Sequence, residues 1–311
     1  MTQMKRKTKN GPVRDSEAQA AMLIAHAERL MAAGNLPAAI AQLQRATVLH
    51  PTSGAANYAL GCAWIDAGEA ERAVDILSKL SASHPPFAAR AAEKILEAEA
   101  MERANRSPAP YVRHLFDQFA PEYDHRMLGE LCYRAPSILR GLADMLVAGE
   151  PSTLDVLDLG CGTGLAGKSF KDLARRLDGV DLSPGMIGQA RALAIYDELV
   201  VADVESLLGQ EGRFYDLIMA ADMLVYLGDL GPVFRGAASH LKAGGFFLFT
   251  VEKLAEGEYE RGPKRRYRHS QAYLREQVAR AGLEVMGLLD CSPRQDAGLP
   301  VEGFAVALQH V

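Results

Sequence analysis

The sequence predicts an all-α domain followed by an α/β domain with a largely parallel sheet. Residues 16–106 are rich in alanine, show helical periodicity and contain no strand signal. From residue 154 onwards, short apolar runs alternate with helical segments, which is typical of parallel strands covered by helices on both faces. A glycine-dense turn follows the first of these runs, as in α/β folds that bind a nucleotide-like ligand at the ends of their strands. The length of 311 residues is enough for two domains.

The chain begins with a basic segment that contains Lys5, Arg6 and Lys7. No apolar core of a signal peptide follows it, so we expect a disordered tail over residues 1–15. No apolar run reaches about 18 residues, which predicts that no helix spans a membrane. The four cysteines show no metal-binding spacing, so we expect no metal site and reduced thiols in a cytoplasmic protein. The net charge of -5 predicts no bulk attraction to nucleic acid.

The alanine-rich segment repeats itself. Pro51 and Pro85 each follow a pair of predicted helices and lie 34 residues apart, a period that resembles the tetratricopeptide (TPR) repeat. We expect a TPR-like helical domain over residues 16–106, with a capping helix over residues 87–103 and a linker over residues 105–110. The matching small and large positions of the two repeats are Leu23, Ala27, Leu30, Ala39, Leu43 and Ala46 in the first and Leu60, Gly61, Trp64, Ala73 and Leu77 in the second.

The glycine-dense turn connects the first predicted strand to a predicted helix over residues 165–176. Gly160, Gly162 and Gly164 allow the backbone to turn sharply and a ligand to lie directly on it, because no Cβ intervenes. Asp181 ends the second predicted strand, where its carboxylate can accept hydrogen bonds from both hydroxyls of a ribose. Read from Gly162, the turn also matches the GxGxxG pattern of dinucleotide-binding proteins. An acidic residue, Asp158, stands two positions before Gly160, and its charge is unfavourable beside a diphosphate.

The pattern D-x-G-x-G-x-G resembles motif I of the class I S-adenosylmethionine (SAM) methyltransferases. The resemblance covers about residues 111–311 of a domain expected over residues 107–311, and the entry segment over residues 116–124 resembles that of the ubiquinone/menaquinone-type methyltransferases. It implies a seven-stranded Rossmann-like sheet, mostly parallel with an antiparallel last strand, SAM as cofactor and S-adenosylhomocysteine (SAH) as product. With the TPR-like region, the chain resembles bacterial TPR-containing methyltransferases of unassigned substrate. The implied cofactor-binding residues are Tyr123, Asp158, Gly160, Cys161, Gly162, Gly164, Asp181, Leu182, Met186, Asp203 and Ala221.

Three of these residues, Asp203, Tyr123 and Cys161, have an alternative interpretation, whereas Met186 has one expected role. Met186 lies after a Ser-Pro helix start and could cover one face of an adenine ring. Asp203 either accepts a hydrogen bond from the adenine amino group or caps the helix that follows it. Tyr123 either forms a lid over the pocket or packs on the sheet edge, and Cys161 fits the loop as a small space-filling residue. The remaining strands are predicted at residues 198–202, 215–220, 246–251, 283–289 and 303–309.

Acceptor-binding residues are expected after the fourth and fifth strands, where open sheets bind ligands. Asp222 and Tyr226 follow the fourth strand, although Tyr226 also fits a core position. The basic segment over residues 261–270 follows the fifth strand and is either a solvated loop or part of the acceptor site. In the second interpretation Arg265 and Arg266 bind a carboxylate or phosphate of the acceptor.

The same basic segment supplies the candidate catalytic residues. His269 is the expected general base, because a histidine can take up a proton near neutral pH. Tyr267 and Asp222 complete the expected catalytic group. His114 and His125 are weaker candidates for the base.

We therefore expect a SAM-dependent methyltransferase that transfers the methyl group in line to a small acceptor, in one form of the hypothesis an anionic one. The exit of the fourth strand lacks the D/N-P-P-Y signature of adenine or glutamine methyltransferases and the Pro-Cys nucleophile of cytosine-C5 enzymes. The expected partners are this small molecule and a protein bound by the TPR-like domain. The alternatives are a TPR adaptor whose SAM domain lacks turnover and an NAD-dependent oxidoreductase, which the GxGxxG overlap suggests.

Overall fold

The computed structural model describes residues 12–147 and 151–311, and the chain divides into two compact units between Ala104 and Asn105. The tail predicted over residues 1–15 lies outside the described residues as far as residue 11. Residues 12–15 belong to the first helix. Among the described residues, no helix combines the length and apolar character that a membrane span requires.

The described part of the first unit, residues 12–104, contains five α-helices. Small residues lie where the helices approach most closely: a Cβ on Gly61 would come within 2.5 Å of the Leu77 side chain. Asn35 and Ser53 cap the second and third helices by accepting hydrogen bonds from backbone N–H groups. This all-helical region agrees with the predicted repeats. The helices are α1 (Pro12–Ala32), α2 (Leu36–Leu49), α3 (Gly54–Asp66), α4 (Ala70–Ser83) and α5 (Ala88–Arg103).

The second unit is an α/β domain that begins with helices and continues with alternating strands and helices. Its entry helices are α6 (Ala109–Phe119), α7 (Tyr123–His125) and α8 (Ala135–Leu146). The alternating part comprises β1 (Leu154–Leu159), α9 (Leu165–Phe170), β2 (Ala174–Asp181), α10 (Pro184–Ala192), β3 (Glu198–Val201), α11 (Val204–Leu208), β4 (Tyr215–Ala220), α12 (Gly231–His240) and β5 (Leu241–Leu254). The C-terminal part comprises β6 (Tyr259–Arg261), β7 (Tyr267–Ser270), α13 (Gln271–Arg280), β8 (Leu283–Cys291), β9 (Gln295–Asp296), β10 (Leu299–Pro300) and β11 (Gly303–His310).

In the described part of the chain, the main sheet contains nine strands: seven follow the order β3-β2-β1-β4-β5-β11-β8, and the remaining two, β6 and β7, join the sheet through β5. The strands from β3 to β5 are parallel, and β11 runs antiparallel to both β5 and β8. The predicted topology with its antiparallel last strand is therefore confirmed. The carboxyl ends of β1, β2 and β4 meet at one edge, because parallel neighbours end on the same side.

Two predicted elements differ from the observed ones. The helix expected over residues 165–176 ends at Phe170, and β2 begins at Ala174, where Arg175 forms an ion pair with Asp155 of β1 (2.6 Å). The basic segment is not a solvated loop. It forms most of the β6–β7 hairpin over residues 259–270, whose strand β7 pairs in parallel with the end of β5.

Residues 105–107 form a short strap that lies on the loop after β4. The Ser107 N–H donates to the Tyr226 carbonyl (2.8 Å), and the Gly228 N–H donates to the Asn105 carbonyl (2.7 Å). Arg106 between them forms an isolated antiparallel bridge with Leu227. The segment predicted as a linker over residues 105–110 therefore has fixed hydrogen-bond partners in the second unit, and α6 already begins at Ala109.

Tyr196 fills the space beneath the glycine turn. Its hydroxyl donates to the buried carboxylate of Asp158 (2.7 Å). A Cβ on Gly167 would come within 2.2 Å of the same hydroxyl, and a Cβ on Gly179 would come within 2.9 Å of the ring. Gly167, the last glycine of the GxGxxG match, is thus required for packing against this tyrosine.

We predict that Gly167→Ala lowers the free energy of unfolding by about 1–3 kcal/mol, because the added methyl group displaces the Tyr196 ring. The matched control is Gly188→Ala in α10, where an added Cβ meets no atom within 4 Å. This control should be neutral or more stable by up to about 1 kcal/mol. Urea denaturation of both variants measures the difference, and equal effects would contradict the packing role of Gly167.

Candidate functional site

The glycine turn and the end of β2 are joined by one carboxylate. Gly160 and Gly162 have φ values of 67° and 55°, which only glycine adopts without strain. The Gly162 N–H donates to Oδ2 of Asp181 (2.9 Å), and the Ser183 N–H donates to Oδ1 (2.8 Å). Because an ionised carboxylate accepts about four hydrogen bonds, Asp181 keeps one free acceptor position on each oxygen.

Asp181 faces a cavity of about 660 Å³, which we call the loop cavity. The cavity begins at the glycine turn and extends past Leu182 and Met186 to Asp203. Met186 is held at the start of α10, where its N–H donates to the Ser183 hydroxyl (3.0 Å). Eight of the eleven predicted cofactor-binding residues line this cavity: Tyr123, Gly160, Gly162, Asp181, Leu182, Met186, Asp203 and Ala221.

The other three predicted cofactor-binding residues do not line the loop cavity. Asp158 is fully buried beneath the turn, where it contacts the Tyr196 hydroxyl. Cys161 is buried and fills the space opposite Gly179. Gly164 packs against Leu193 and has a φ of 96°. These residues shape the turn from behind.

Burial changes the acidity of the carboxylates at the turn. Desolvation raises the pKa of Asp181 to about 6, and the hydrogen bonds from Ser183 and Gly162 act in the opposite direction. Desolvation likewise raises the pKa of Asp158 to about 7. A positively charged ligand in the loop cavity would favour the ionised form of Asp181.

A second cavity of about 1030 Å³ shares a wall with the loop cavity. We call it the aromatic cavity. Phe116, Tyr123, Asp222 and Tyr226 line both cavities. The Phe116 ring contacts the Tyr226 ring edge-on, with centroids 5.5 Å apart. The shared wall is therefore mostly aromatic, and Asp222 is its one charged group among the described residues.

Two arginines and two carboxylates form a closed cluster beside the aromatic cavity. Asp222 accepts from Arg266 (3.0 Å) and from Arg294 (2.9 Å), and Glu252 accepts from the same two arginines (2.8 and 2.5 Å). Each side chain is at most 16% exposed. Asp222 adopts a φ of 56°, a conformation that costs energy for a residue with a Cβ. We call this group the charge cluster.

The predicted role of Arg266 changes with the charge cluster. Arg266 lines the aromatic cavity as expected, but both carboxylates already neutralise its guanidinium. Tyr226, the other predicted acceptor-binding residue, lines the cavity and lies beneath the Arg266 guanidinium, 5.2 Å from its ring centroid. Arg265 lines neither cavity and lies over the ring of Tyr111 (5.0 Å).

His269 and Tyr267 line neither cavity, so their expected catalytic roles are not supported. His269 is fully buried by the β6–β7 hairpin and its Nε2 donates to the Gly228 carbonyl (3.0 Å). Burial lowers the pKa of His269 to about 4, so the ring is neutral. Tyr267 is buried against Tyr259. The histidine of this segment stabilises the hairpin and does not face the cavities.

The weaker base candidates are also placed away from this wall. His114 bonds to Gln118 one turn further along α6 (2.9 Å), and His125 lies at the end of α7. Neither lines the loop cavity or the aromatic cavity. The part of the chain that the structure describes also contains no group of three or more His, Cys, Asp or Glu side chains that could bind a metal ion.

Arg106 lines the loop cavity and was not expected there. Its guanidinium forms ion pairs with Asp203 (2.5 Å) and Glu205. Asp203 also caps α11 by accepting from the Glu205 and Ser206 N–H groups, as the alternative interpretation of this residue predicts. Residues that line the aromatic cavity and were not predicted include Arg126, Lys264, Arg294 and Asp296.

Comparison with known proteins identifies both units. The methyltransferase-domain family matches residues 156–245, and the tetratricopeptide-repeat family matches residues 30–98. The chain contains a class I SAM-dependent methyltransferase domain preceded by a TPR region. The first match includes the glycine turn, Asp181 and the end of β4, which form part of the wall of the loop cavity.

Curated relatives match the same part of the chain. A human methyltransferase-like protein 27 is 36% identical over 104 residues, which are 32% of this chain and 42% of that protein. A ubiquinone biosynthesis O-methyltransferase from Xanthomonas axonopodis is 32% identical over 33% of this chain and 46% of its own length. A malonyl-[acyl-carrier protein] O-methyltransferase from Pseudescherichia vulneris is 33% identical over 38% and 47%. The chain thus spans less than half the length of these relatives.

One solved structure agrees on the fold. One chain of the complex between the Haloferax volcanii Trm112 methyltransferase activator and a methyltransferase superposes with a TM-score of 0.50 at 21% identity. The superposition covers 63% of this chain and 97% of that chain.

The residues of the loop cavity fit a SAM-type cofactor. A Cβ on Gly162 would meet only Tyr123, at 4.0 Å, so the turn leaves open space on the side of the cavity. Asp181 offers two acceptor positions to a ribose, and Met186 offers an apolar surface to a base. The hydrogen-bond acceptors and the apolar surface of the loop cavity therefore agree with the cofactor of the matched family.

Proposed function

We propose that this chain is a methyltransferase that binds SAM in the loop cavity and a small acceptor in the aromatic cavity. The observation that carries the proposal is the wall shared by the two cavities. A methyl donor and a methyl acceptor that bind on opposite sides of Phe116, Tyr123 and Tyr226 can approach each other at this wall. Methyl transfer requires mainly that the two reactants are held in line, and the wall lies where the reacting groups would meet.

SAM supplies an electrophilic methyl group on a sulfonium. In the proposed site Asp181 binds the ribose hydroxyls, the turn from Gly160 to Gly162 binds the amino-acid part, and Met186 packs against the adenine. The ionised Asp181 also favours binding of a cationic cofactor over a dinucleotide. Asp158, fully buried behind the turn, orients Tyr196 and does not touch the cofactor.

We propose that the acceptor is a small aromatic carboxylic acid or phenol that is methylated on an ionised oxygen. Two of the matched relatives are named O-methyltransferases, which supports an oxygen acceptor. No histidine lines either cavity among the described residues. Burial, followed by the charge of Asp222, raises the pKa of the Tyr123 hydroxyl well above its usual range, so this hydroxyl is not a base. An acceptor that arrives ionised needs no base.

The charges of the aromatic cavity agree with such an acceptor. Its lining includes four cationic side chains, Arg126, Lys264, Arg266 and Arg294, and two acidic ones, Asp222 and Asp296. Arg266 and Arg294 are engaged in the charge cluster. Lys264 is 66% exposed and is bonded only to Asp296 (2.8 Å) among its described contacts, so it can reorient towards an anion at low cost.

We propose that the TPR region binds a protein partner, as the match to tetratricopeptide repeats suggests. Its five helices build stacked pairs with their own cores around Leu43 and Leu77. The proposal requires no role for this region in the chemistry of the second unit. A chain that binds SAH but shows no turnover with any acceptor would favour the adaptor function.

We predict that Asp181→Ala weakens SAH binding at least about tenfold, because two hydrogen bonds to a charged group, each worth about 1.5–3 kcal/mol, are lost. Calorimetric titration measures the change, and circular dichroism checks the fold. The control is Asp144→Ala, which removes a 56% exposed carboxylate paired with Arg140.

The affinity of the wild type for SAH should also fall as the pH drops below about 6, because protonated Asp181 no longer accepts hydrogen bonds from both ribose hydroxyls. Affinity that is constant from pH 8 to pH 5 would contradict the placement of the ribose.

We predict that Lys264→Met raises the KM for the acceptor roughly ten- to hundredfold and changes kcat little, because it removes a charge-assisted contact used for binding. Turnover is measured with methyl-labelled SAM and a panel of small aromatic carboxylic acids and phenols. Lys253→Met is the matched control, since Lys253 also pairs with one aspartate, Asp290 (2.5 Å), and lines neither cavity. Equal KM values for Lys264→Met and Lys253→Met would contradict the proposal that the acceptor is an anion.

A further inference from the structure

Asp203 lines the loop cavity, but most of its hydrogen-bonding capacity is already used. Its Oδ1 accepts from the Glu205 N–H (3.1 Å), the Ser206 N–H (3.2 Å) and Nη1 of Arg106 (3.3 Å). Its Oδ2 accepts from Nη2 of Arg106 (2.5 Å). Each carboxylate oxygen accepts about two hydrogen bonds, so Oδ1 is saturated and Oδ2 can offer one further position to a ligand.

Arg106 has two carboxylates as partners, and one buried donor of its guanidinium is not used by them. It bonds to Asp203 and to Glu205, which keeps both acidic groups at this end of the cavity compensated. Burial would raise the pKa of Asp203, but the contacts with Arg106 outweigh it and lower the pKa. The Nε–H of Arg106 is buried and has no hydrogen-bond partner among the described residues. An unsatisfied buried donor is rare and calls for an acceptor.

The backbone fixes Arg106 in this position. The strap over residues 105–107 is hydrogen-bonded on both sides of Arg106, to Tyr226 and to Gly228. The hydroxyl of Ser107, itself 1% exposed, donates to the Arg265 carbonyl. The side chain of Arg106 therefore enters the cavity wall from a backbone with few alternative conformations, and it stays there when a ligand binds.

We propose that Arg106 determines which exocyclic group on the purine of the cofactor is recognised at the Asp203 end of the loop cavity. This inference rests on the proposed SAM site. A bare carboxylate only accepts hydrogen bonds and selects a purine with an exocyclic amino group. The pair of Arg106 and Asp203 presents donors as well as an acceptor, so it binds a purine with either an amino or a carbonyl group at that position.

The test compares two ligands that differ only in this group. The full chain is titrated calorimetrically with SAH and with S-inosyl-L-homocysteine, in which a carbonyl replaces the adenine amino group. The wild type should bind the two within about threefold of each other. In Arg106→Met the carboxylates of Asp203 and Glu205 are left as acceptors alone, and the preference for SAH should rise at least tenfold. Arg106→Lys, which keeps the charge but not the two-pronged contact, should give an intermediate preference.

A control and a second variant of Arg106 separate this role from a structural one. Arg280→Met removes a surface arginine that pairs with Glu276 (2.6 Å) and should leave both affinities unchanged. Should Arg106→Met fail to fold, Arg106→Lys carries the test, because it keeps a positive charge beside Asp203 and Glu205. A wild-type ratio of the two affinities in Arg106→Lys would then overturn the inference.

The outcomes also distinguish the inference from the proposed function. A wild type that binds neither ligand overturns the proposed SAM site and the inference together. A wild type that binds SAH more than tenfold better than the inosyl compound, with the same preference in Arg106→Met, overturns the role of Arg106 alone. In that case Asp203 binds the adenine amino group directly, and the proposed SAM site is not contradicted.

Discussion

The hydrogen bonds that Asp181 accepts from Gly162 and Ser183 connect the two halves of the site. One donor lies in the turn after β1 and the other lies at the start of the segment after β2. The carboxylate thus holds the turn open at a fixed distance from β2 while it keeps acceptor positions for a ligand. It remains ionised at neutral pH despite its burial, since its pKa is raised only to about 6. The cavity, the position of Met186 and the orientation of the turn all depend on this arrangement.

The charge cluster has a comparable role on the acceptor side. Two arginines and two carboxylates neutralise one another, which avoids the cost of an unpaired buried charge. Asp222 follows β4 and Glu252 lies in β5, whereas Arg266 and Arg294 lie in segments near the C-terminal part of the sheet. The cluster therefore connects four separate regions of the chain. Removal of one member would leave its partners uncompensated. The cluster therefore fixes the floor of the aromatic cavity and leaves the exposed Lys264 as the adaptable cation.

Local patterns in the sequence predict the fold and the parts of the site that lie next to strand ends. The glycine turn, Asp181 and Met186 follow strands or begin helices, and such positions can be recognised from a few neighbouring residues. The partners of a charged side chain cannot be recognised in this way, because Arg106 and Asp203 are 97 residues apart. The basic segment shows the same limit. Its composition indicated an anion site, but strand pairing buries His269, and Glu252 and Asp222 neutralise Arg266.

The central claim is that the loop cavity holds a SAM-type ligand, although the same turn also matches the dinucleotide pattern. The most direct measurement is calorimetric titration of the full chain with SAH and, separately, with NADH. We predict a single SAH site with a dissociation constant of roughly micromolar strength, about −8 kcal/mol, and no saturable NADH binding at a hundredfold higher concentration. Saturable binding of NADH with no heat from SAH would contradict this claim.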